Sequence, residues 1–429
     1  MIKAKNYLGK IIPPFFINSF FHLPQALFWN LYYRFPARHL ITIGVTGTDG
    51  KTTTTTLIWH ILKTAGKKAA MITTVKARLG KRAWDTGLHT TTPEAKTIQN
   101  FLFQAKRGGF SYVVLEATSH GLDQYRLFGI PFRVGVITNV THEHLDYHRT
   151  MKKYLLAKAK LIKQAQIAVL NRDDWSFEKL SLLAQKRGIK IVSYGIKHPA
   201  DISPKSFPFK TTLPGEYNQY NCLAAIAAAT ALNISPTIIR QALKTFNPPK
   251  GRLEAVNLGQ NFKVYVDFAH TPNAIKSVLA HLYSQLNLSQ KQRLIAVFGS
   301  AGKRDNTKRP AMGQSAARFA HLTIITADDP RDEKIEKISR EIAQGCLEEG
   351  AREIKTLAPF RQETSTKKHY FLLIPNRRKA IEAAIKAAQR GDIVALLGKG
   401  HEKSLSIKGK EYPWNEIKKV KKAIKKFAL

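Results

Sequence analysis

Gly44-Val45-Thr46-Gly47-Thr48-Asp49-Gly50-Lys51-Thr52-Thr53-Thr54-Thr55-Thr56 is the stretch that decides the fold of this 429-residue chain. The β-branched run Leu40-Ile41-Thr42-Ile43 before it predicts a strand, and Leu57-Ile58-Trp59-His60-Ile61-Leu62 after it predicts a helix. Strand, glycine-rich turn and helix form the setting in which backbone N–H groups and the positive helix end hold phosphate oxygens. Lys51 has the reach for the outer phosphates and the Thr52 hydroxyl suits magnesium. The usual pattern places glycine at position 45, where this chain has Val45, so the loop is a variant anchored by Gly47 and Gly50. A Gly-Lys-Thr turn by itself is common; its flanks make this one an ATP site.

Composition bounds the remainder. The length supports two or three domains with substantial cores. Two cysteines, Cys222 and Cys346, exclude a disulfide framework and a cysteine-based zinc ribbon, and they fit a reducing cytoplasm. Lys and Arg total 69 against 30 Asp and Glu, a net charge of +39, which suits anionic partners. The charge is spread along the chain and densest at residues 418–426, so a solvated basic surface explains it as well as a nucleic-acid interface does. From Ile11 to Tyr33 there is no charged residue, while Phe15, Phe16, Phe20, Phe21, Phe28, Trp29, Tyr32 and Tyr33 crowd the segment. Prolines 13, 14 and 24 make it a poor spanning helix and it lacks a signal cleavage site. Two readings stay open: an aromatic patch at an anionic membrane surface, or a hairpin packed on the body.

From residue 40 onward short apolar runs alternate with helical patterns, which predicts an α/β protein with largely parallel sheets. Strands are expected at 112–115, 134–137, 167–170 and 191–194, and an alanine-rich helix over 218–232. Asn247-Pro248-Pro249-Lys250-Gly251 reads as a hinge. A second series follows at 263–266, 294–298, 322–325 and 393–397. The expected organisation is a short aromatic segment (1–40), an ATP-binding domain (41–246) and a second α/β domain (247–429). Polar clusters sit at strand C-terminal ends, where open α/β sheets build sites. Glu116 follows one strand, Thr138-Asn139 another, and His144-Leu145-Asp146-Tyr147-His148 lies just beyond. A carboxylate and an imidazole near a phosphate loop suit magnesium.

Gly47-Thr48-Asp49-Gly50-Lys51-Thr52-Thr53, Glu116-Ala117-Thr118-Ser119-His120-Gly121-Leu122-Asp123-Gln124, His144–His148, Gly251-Arg252-Leu253-Glu254, Asp267-Phe268-Ala269-His270-Thr271-Pro272 and Gly398-Lys399-Gly400-His401-Glu402 occur in that order. Together they resemble the Mur ligases, most closely their UDP-N-acetylmuramoyl-tripeptide synthetase branch. The resemblance implies a P-loop-containing central domain followed by a smaller Rossmann-like C-terminal domain. It also implies ATP-dependent, magnesium-assisted addition of a diamino acid to a nucleotide-linked muramoyl dipeptide, through an acyl phosphate, in peptidoglycan precursor synthesis. By the same resemblance Lys51, Glu116, His144 and Lys158 are catalytic, and Thr52, Glu116, His144 and Lys158 hold metal, the lysine as a carbamate formed with CO2. Gly47, Thr48, Asp49, Gly50, Thr53, Asn139, Asn218, Asn221, Arg252, Asp267 and His270 join Lys51 and Thr52 around ATP. Thr90, Thr91, Thr92, Thr118, Gln124 and Arg126 hold the muramoyl-peptide acceptor. Arg304, Asp328, Asp329, Pro330, Arg331, Gly398 and Glu402 line the amino-acid pocket.

Two departures from the family pattern stand out. The diaminopimelate motif usually has asparagine where this chain has Asp329, a carboxylate that would weigh against a distal carboxylate; Arg331 still favours diaminopimelate, with lysine the alternative. About 40 residues precede the phosphate loop where the family usually carries a uridine-nucleotide domain, which leaves a lipid-linked acceptor open. The expected protein is a cytoplasmic monomer with peripheral membrane contact. The competing readings are a folylpolyglutamate-type ligase, the ligase subunit of lipid II isoglutaminyl synthase, whose four-cysteine ribbon two cysteines cannot supply, and a non-enzymatic nucleotide- or nucleic-acid-binding protein.

Overall fold

The computed structural model describes residues 14–84, 92–363 and 368–428. The chain divides into two compact units, Met1–Val140 with Thr150–Pro249, and Thr141–Arg149 with Lys250–Leu429.

The first unit is built on an eight-stranded sheet of order β4-β3-β2-β5-β1-β6-β7-β8. Its strands are β1 (Ile41–Thr46), β2 (Ala69–Ile72), β3 (Ala77–Leu79), β4 (Arg82–Trp84), β5 (Tyr112–Glu116), β6 (Phe132–Ile137), β7 (Ala165–Asn171) and β8 (Lys190–Tyr194). The six strands from β2 to β8 run parallel, and β3 and β4 add an antiparallel edge. The central strand β1 lies between β5 and β6, with Val45 beside Glu116 and Thr46 beside Ile137. The phosphate loop therefore emerges between the two strands whose ends carry the other polar clusters.

Alternation along the strands sends neighbouring residues to opposite faces. Ile43, Val45 and Val114 pack with Leu57, Ile58 and Ile61 of helix Lys51–Thr64, and with the helix Glu216–Ala231. Val113, Leu115 and Phe132 pack on the other face with Phe101 and Leu102 of helix Ala95–Arg107. Helix 216–231 is apolar almost all round from Cys222 to Ala229 and is correspondingly buried.

The aromatic N-terminal segment is helical, not a hairpin. Pro14–Ile17, a π-helical turn Asn18–His22 and Leu23–Tyr32 follow one another. Asn18 Nδ2 donates to Asp123 Oδ2 at 2.8 Å, and Asn30 Nδ2 donates to Phe128 O at 2.9 Å. Phe20 (74% exposed), Phe28, Leu31 and Tyr32 (65%) stay on the surface.

The second unit has a seven-stranded sheet, order β13-β14-β12-β11-β15-β10-β9. The strands are β9 (Glu254–Ala255), β10 (Lys263–Val266), β11 (Leu294–Phe298), β12 (Leu322–Ile325), β13 (Arg352–Glu353), β14 (Tyr370–Leu373) and β15 (Ile393–Leu396), all parallel except β9. A separate hairpin pairs β16 (Ser404–Ile407) with β17 (Lys410–Pro413). The lysine-dense C-terminus is the amphipathic helix Glu416–Phe427, with Val420, Ala423 and Ile424 buried against the sheet and most of its lysines in solvent. Thr141–Arg149, which follows β6 in sequence, groups with this second unit, a placement the linear reading of the domains did not contain.

Candidate active site

In the first unit, the turn after β1 is shaped by its own side chains and by the end of β6. Asn139 Oδ1 accepts from the N–H groups of Thr48 and Asp49 at 3.2 and 2.9 Å, and Thr138 Oγ1 donates to Asp49 O at 2.7 Å. Asn139, expected among the ATP ligands, is thus a brace of the loop. Gly50 has φ +81°, and a Cβ there would collide with the Asn221 amide; one at Gly47 would collide with Thr138 Oγ1. Both glycines are needed for close approach. Asn221 Nδ2 donates to Asn218 Oδ1 at 3.0 Å, and its own Oδ1 accepts from Thr54 at 3.3 Å, so this amide pair sits against the loop and its helix. Lys51 Nζ donates to Gly47 O (3.1 Å) and Thr48 O (2.7 Å), which holds the ammonium against the loop. The fourteen-residue helix beginning at Lys51 directs its first N–H groups, including those of Thr52 and Thr53, toward the same space.

Behind the loop Glu116 is 2% exposed. Its carboxylate accepts from Thr52 Oγ1 (3.0 Å), Thr74 N (2.9 Å) and Thr74 Oγ1 (2.8 Å). A hydroxyl and a carboxylate side by side next to a phosphate-binding turn form a hard-oxygen set that fits magnesium. Lys158, 1% exposed, projects from helix Met151–Lys163, donates to Gly47 O at 2.6 Å and lies 4.3 Å from the Tyr154 ring centroid. Tyr154 OH in turn lies 3.1 Å from Thr48 Oγ1. Thr52, Glu116 and Lys158 thus surround one loop.

Beside this set, Thr92 Oγ1 donates to Glu116 O (3.2 Å) and accepts from Thr118 N (2.8 Å). Arg126 Nη1 donates to Thr92 O at 2.6 Å, and its Nε and Nη2 clasp Gln124 Oε1 at 3.1 and 2.7 Å. Thr92, Thr118, Gln124 and Arg126, expected from sequence to hold the acceptor, therefore form one hydrogen-bonded cluster. Thr90 and Thr91 lie outside the described residues.

In the second unit three motifs converge. A Cβ at Gly251 would collide with the backbone of Gly400 and His401, and the Arg252 guanidinium lies 4.8 Å from the Phe268 ring centroid. Asp267 accepts from Leu253 N (2.6 Å) and Ala269 N (2.7 Å), which makes it a staple of this turn. His270 Nδ1 lies 2.8 Å from Phe268 O, and His270 O accepts from Lys308 Nζ at 2.9 Å. His144 sits in the left-handed region at φ +58°, in the segment held by this unit. Leu145 N donates to Asp305 Oδ2 at 3.0 Å, and buried Lys308 binds Glu143 at 2.8 Å. Burial opposes the Asp305 charge, but His142, Thr307 and the Leu145 N–H outweigh it and hold the carboxyl well below its usual range.

The amino-acid motifs meet around Lys399. Its fully buried ammonium lies 2.5 Å from Glu402, 2.8 Å from Asp329 and 3.8 Å from Asp328. Burial works against that charge, yet the three carboxylates raise Nζ above its ordinary value. Burial is also the main reason that Glu402 is pushed up to about 7, with Asp328 and Asp329 adding to it and Lys399 offsetting part. Gly398 has φ +100°, and a Cβ there would collide with Asp328. The loop Gly299–Gly302 docks on Asp329-Pro330, with Gly302 N donating to Asp329 O at 2.9 Å. Arg331 has its proton affinity lowered by burial first and by the Arg304 charge second, which places the two cations near one another. The Asp329 carboxylate, expected from sequence to weigh against a distal carboxylate, accepts from Lys399 and from Ser406 N at 2.8 Å.

The Mur ligase middle domain matches residues 45–229, and the Mur ligase glutamate ligase domain matches residues 251–400. The chain is 39% identical over 407 residues to UDP-N-acetylmuramoyl-L-alanyl-D-glutamate–2,6-diaminopimelate ligase of Aquifex aeolicus strain VF5, covering 91% of this chain and 78% of that protein. The chain belongs to the Mur ligase family. It is also 36% identical to UDP-N-acetylmuramyl-tripeptide synthetase of Roseiflexus sp. strain RS-1, covering 92% of this chain and 80% of that one. A solved UDP-N-acetylmuramoyl-L-alanyl-D-glutamate–2,6-diaminopimelate ligase superposes with TM-score 0.58 at 30% identity, covering 90% of this chain and 78% of that chain. The folylpolyglutamate synthase of Mycobacterium tuberculosis, solved with ADP and AMPPCP, superposes with TM-score 0.66 at 15% identity, covering 88% and 92%, and shares the fold.

Several residues of this Mur ligase site were not singled out in the sequence. Thr74 and Tyr154 carry no motif, and their roles appear only once the chain brings them to Glu116 and Lys158. Arg377 and Glu416, a fully buried pair at 2.6 Å, underlie the second site, with Arg377 donating to Ala327 O and Leu397 O. Lys399 was visible inside a quoted motif, and the three acidic residues close to that motif and the 328–331 motif were the signal that one buried cation must serve them.

Proposed function

We propose that this Mur ligase joins meso-diaminopimelate to the D-glutamate of UDP-N-acetylmuramoyl-L-alanyl-D-glutamate with cleavage of ATP to ADP and phosphate, in peptidoglycan precursor synthesis. The observation that carries the reading is the 39% identity to the A. aeolicus diaminopimelate ligase across both ligase domains.

A carboxylate is a poor acylating agent. Its oxygen therefore attacks the γ-phosphorus, the bond to the β-phosphate oxygen breaks, and ADP leaves. The amine then attacks the acyl carbon, the bond to the phosphate oxygen breaks, and the amine proton is lost to give the amide. The work of this chain is positioning and charge compensation. Lys51 and the N–H groups of the loop bind the phosphates. The Thr92–Thr118–Gln124–Arg126 cluster orients the acceptor. Thr52 and Glu116, with Lys158 as a carbamate, would hold magnesium, which when bound would supply counter-charge to the phosphates. Arg304 and Arg331 suit a carboxylate end of the amino acid, and Glu402 suits its distal ammonium. Purified protein given ATP, the muramoyl dipeptide nucleotide and either meso-diaminopimelate or lysine tests this: mass spectrometry should show the diaminopimelate adduct, and product with neither amino acid would refute it.

The exposed face of Phe20, Phe28, Leu31 and Tyr32, on a chain of net charge +39, supports peripheral contact with an anionic lipid surface. Among the described residues no helix is long and apolar enough to cross a membrane. Co-sedimentation with anionic but not neutral vesicles, weakened by Phe20→Ser with Phe28→Ser, is the expected result; equal recovery with both vesicle types would refute it.

A further inference from the structure

The acceptor cluster has a second wall that no ligase motif contains. A cavity of about 210 Å³ is lined by His22, Gln25, Glu94, Ala95, Gln124 and Arg126. Gln124 and Arg126 belong to the acceptor cluster, and Glu94 and Ala95 begin the helix that follows Thr92. His22 and Gln25 come from elsewhere: His22 closes the π-helical turn and Gln25 lies in the first turn of helix Leu23–Tyr32.

This wall is held in register with the cluster. Asn18, four residues before His22, donates to Asp123 Oδ2 at 2.8 Å, while Asp123 Oδ1 accepts from Lys160 at 2.6 Å. Asn30, five residues after Gln25, donates to Phe128 O at 2.9 Å, and a Cβ at Gly129 would collide with its amide. The Lys96 ammonium lies 4.9 Å from the Trp29 ring centroid. The tethers at 123 and 128 bracket Gln124 and Arg126, so the segment carrying His22 and Gln25 is fixed on both sides of the cavity. Among the described residues the lining is an imidazole, two carboxamides, a guanidinium and a carboxylate, with Ala95 the one apolar residue. Such a surface recognises a ligand rich in amides, hydroxyls and a carboxylate, and offers little to an apolar one.

We propose that His22 and Gln25 are specificity-determining residues that bind the polar sugar–peptide portion of the acceptor opposite Gln124 and Arg126. This rests on the acceptor assignment made above. It gives the aromatic segment two functions, an apolar face in solvent and a polar edge on the substrate cavity.

The test is steady-state kinetics and calorimetric binding of the muramoyl dipeptide nucleotide to wild type, His22→Ala, Gln25→Ala, the double variant and Gln25→Glu, with thermal melting as a fold control. The double variant should raise the acceptor KM about tenfold, the loss expected for two hydrogen bonds. Its KM for ATP and for the amino acid should stay within about twofold, in keeping with loss of uniform binding. Gln25→Glu, on an exposed position, should weaken acceptor binding without shifting the melting temperature. A wild type that ligates while the folded variants keep its acceptor KM would overturn this proposal alone. So would a uniform rise in all three KM values with a lowered melting temperature. A wild type without acceptor-dependent ADP release would overturn the acceptor assignment and this proposal with it.

Discussion

Glu402→Gln should make the protein's stability less sensitive to pH. Glu402 lies 2.5 Å from Lys399 and shares its surroundings with Asp328 and Asp329, and its carboxyl is pushed up from 4.5 to about 7. The folded state therefore holds this proton more tightly than the unfolded chain. By linkage, stability contributed by the protonated form is complete below about 4.5 and is lost as pH rises through 7. Each tenfold change in proton affinity is worth about 1.4 kcal/mol, which sets a ceiling of about 3 kcal/mol. The side chain is 22% exposed and keeps part of its solvation, so about 1–2 kcal/mol is the expected effect. Glutamine imitates the protonated carboxyl at every pH. Urea denaturation of wild type and variant at pH 5 and pH 8 should show similar stability at pH 5 and a variant more stable by that amount at pH 8. On the proposed reading, in which the ionised carboxylate meets the distal ammonium, the gain should come with a large rise in the KM for diaminopimelate. A stability difference that is flat with pH, or one favouring wild type at pH 8, would refute the reasoning and place the ionised Glu402 as a net stabilising partner of Lys399.

Lys51→Ala should leave the melting temperature within a few degrees of wild type and lower kcat by at least about a hundredfold, the scale of losing one charge-stabilising donor; coupled ADP release checks it. Lys158→Ala should be nearly inactive and partly restored by short-chain carboxylates such as formate, and carbamylation should appear as 13C-carbonate incorporation by NMR; full activity without additives would exclude the carbamate. Lys308→Met should leave the buried Glu143 carboxylate without its lysine partner and destabilise the second unit by about 3–5 kcal/mol, measured by urea denaturation. Asp329→Asn keeps the hydrogen bond from Ser406 N and removes a charge already matched by Lys399, so the diaminopimelate-to-lysine ratio of kcat/KM should change by less than about threefold.

Much of the fold was legible because parallel strands buried on both faces are short apolar runs. Leu294–Phe298 and Leu322–Ile325 run as the sequence reading expected, and the helix after the phosphate loop starts at the lysine of the motif. The N-terminal segment was harder to read, because prolines and an absence of charge are compatible with several local structures. Its π-helical turn and the anchors Asn18 and Asn30 depend on where residues 123 and 128 lie. The site was legible where chemistry demands a fixed local spacing, as in Gly47–Thr53, and illegible where a partner arrives from far away.

Residues 44–56 by themselves determined a phosphate-binding turn, because the glycines, lysine and threonine act within one loop and one helix N-terminus. Likewise the order of the motifs determined the family. Tertiary structure alone decided that the Asp329 charge is answered by Lys399 and that Asn139 braces the loop. It also decided that Thr141–Arg149 packs with the second unit. The physical reason is range: backbone geometry and helix dipoles act over a few residues of sequence. Charge compensation and desolvation depend on distances such as 2.8 and 3.0 Å between groups that lie 70 and 165 residues apart in the chain.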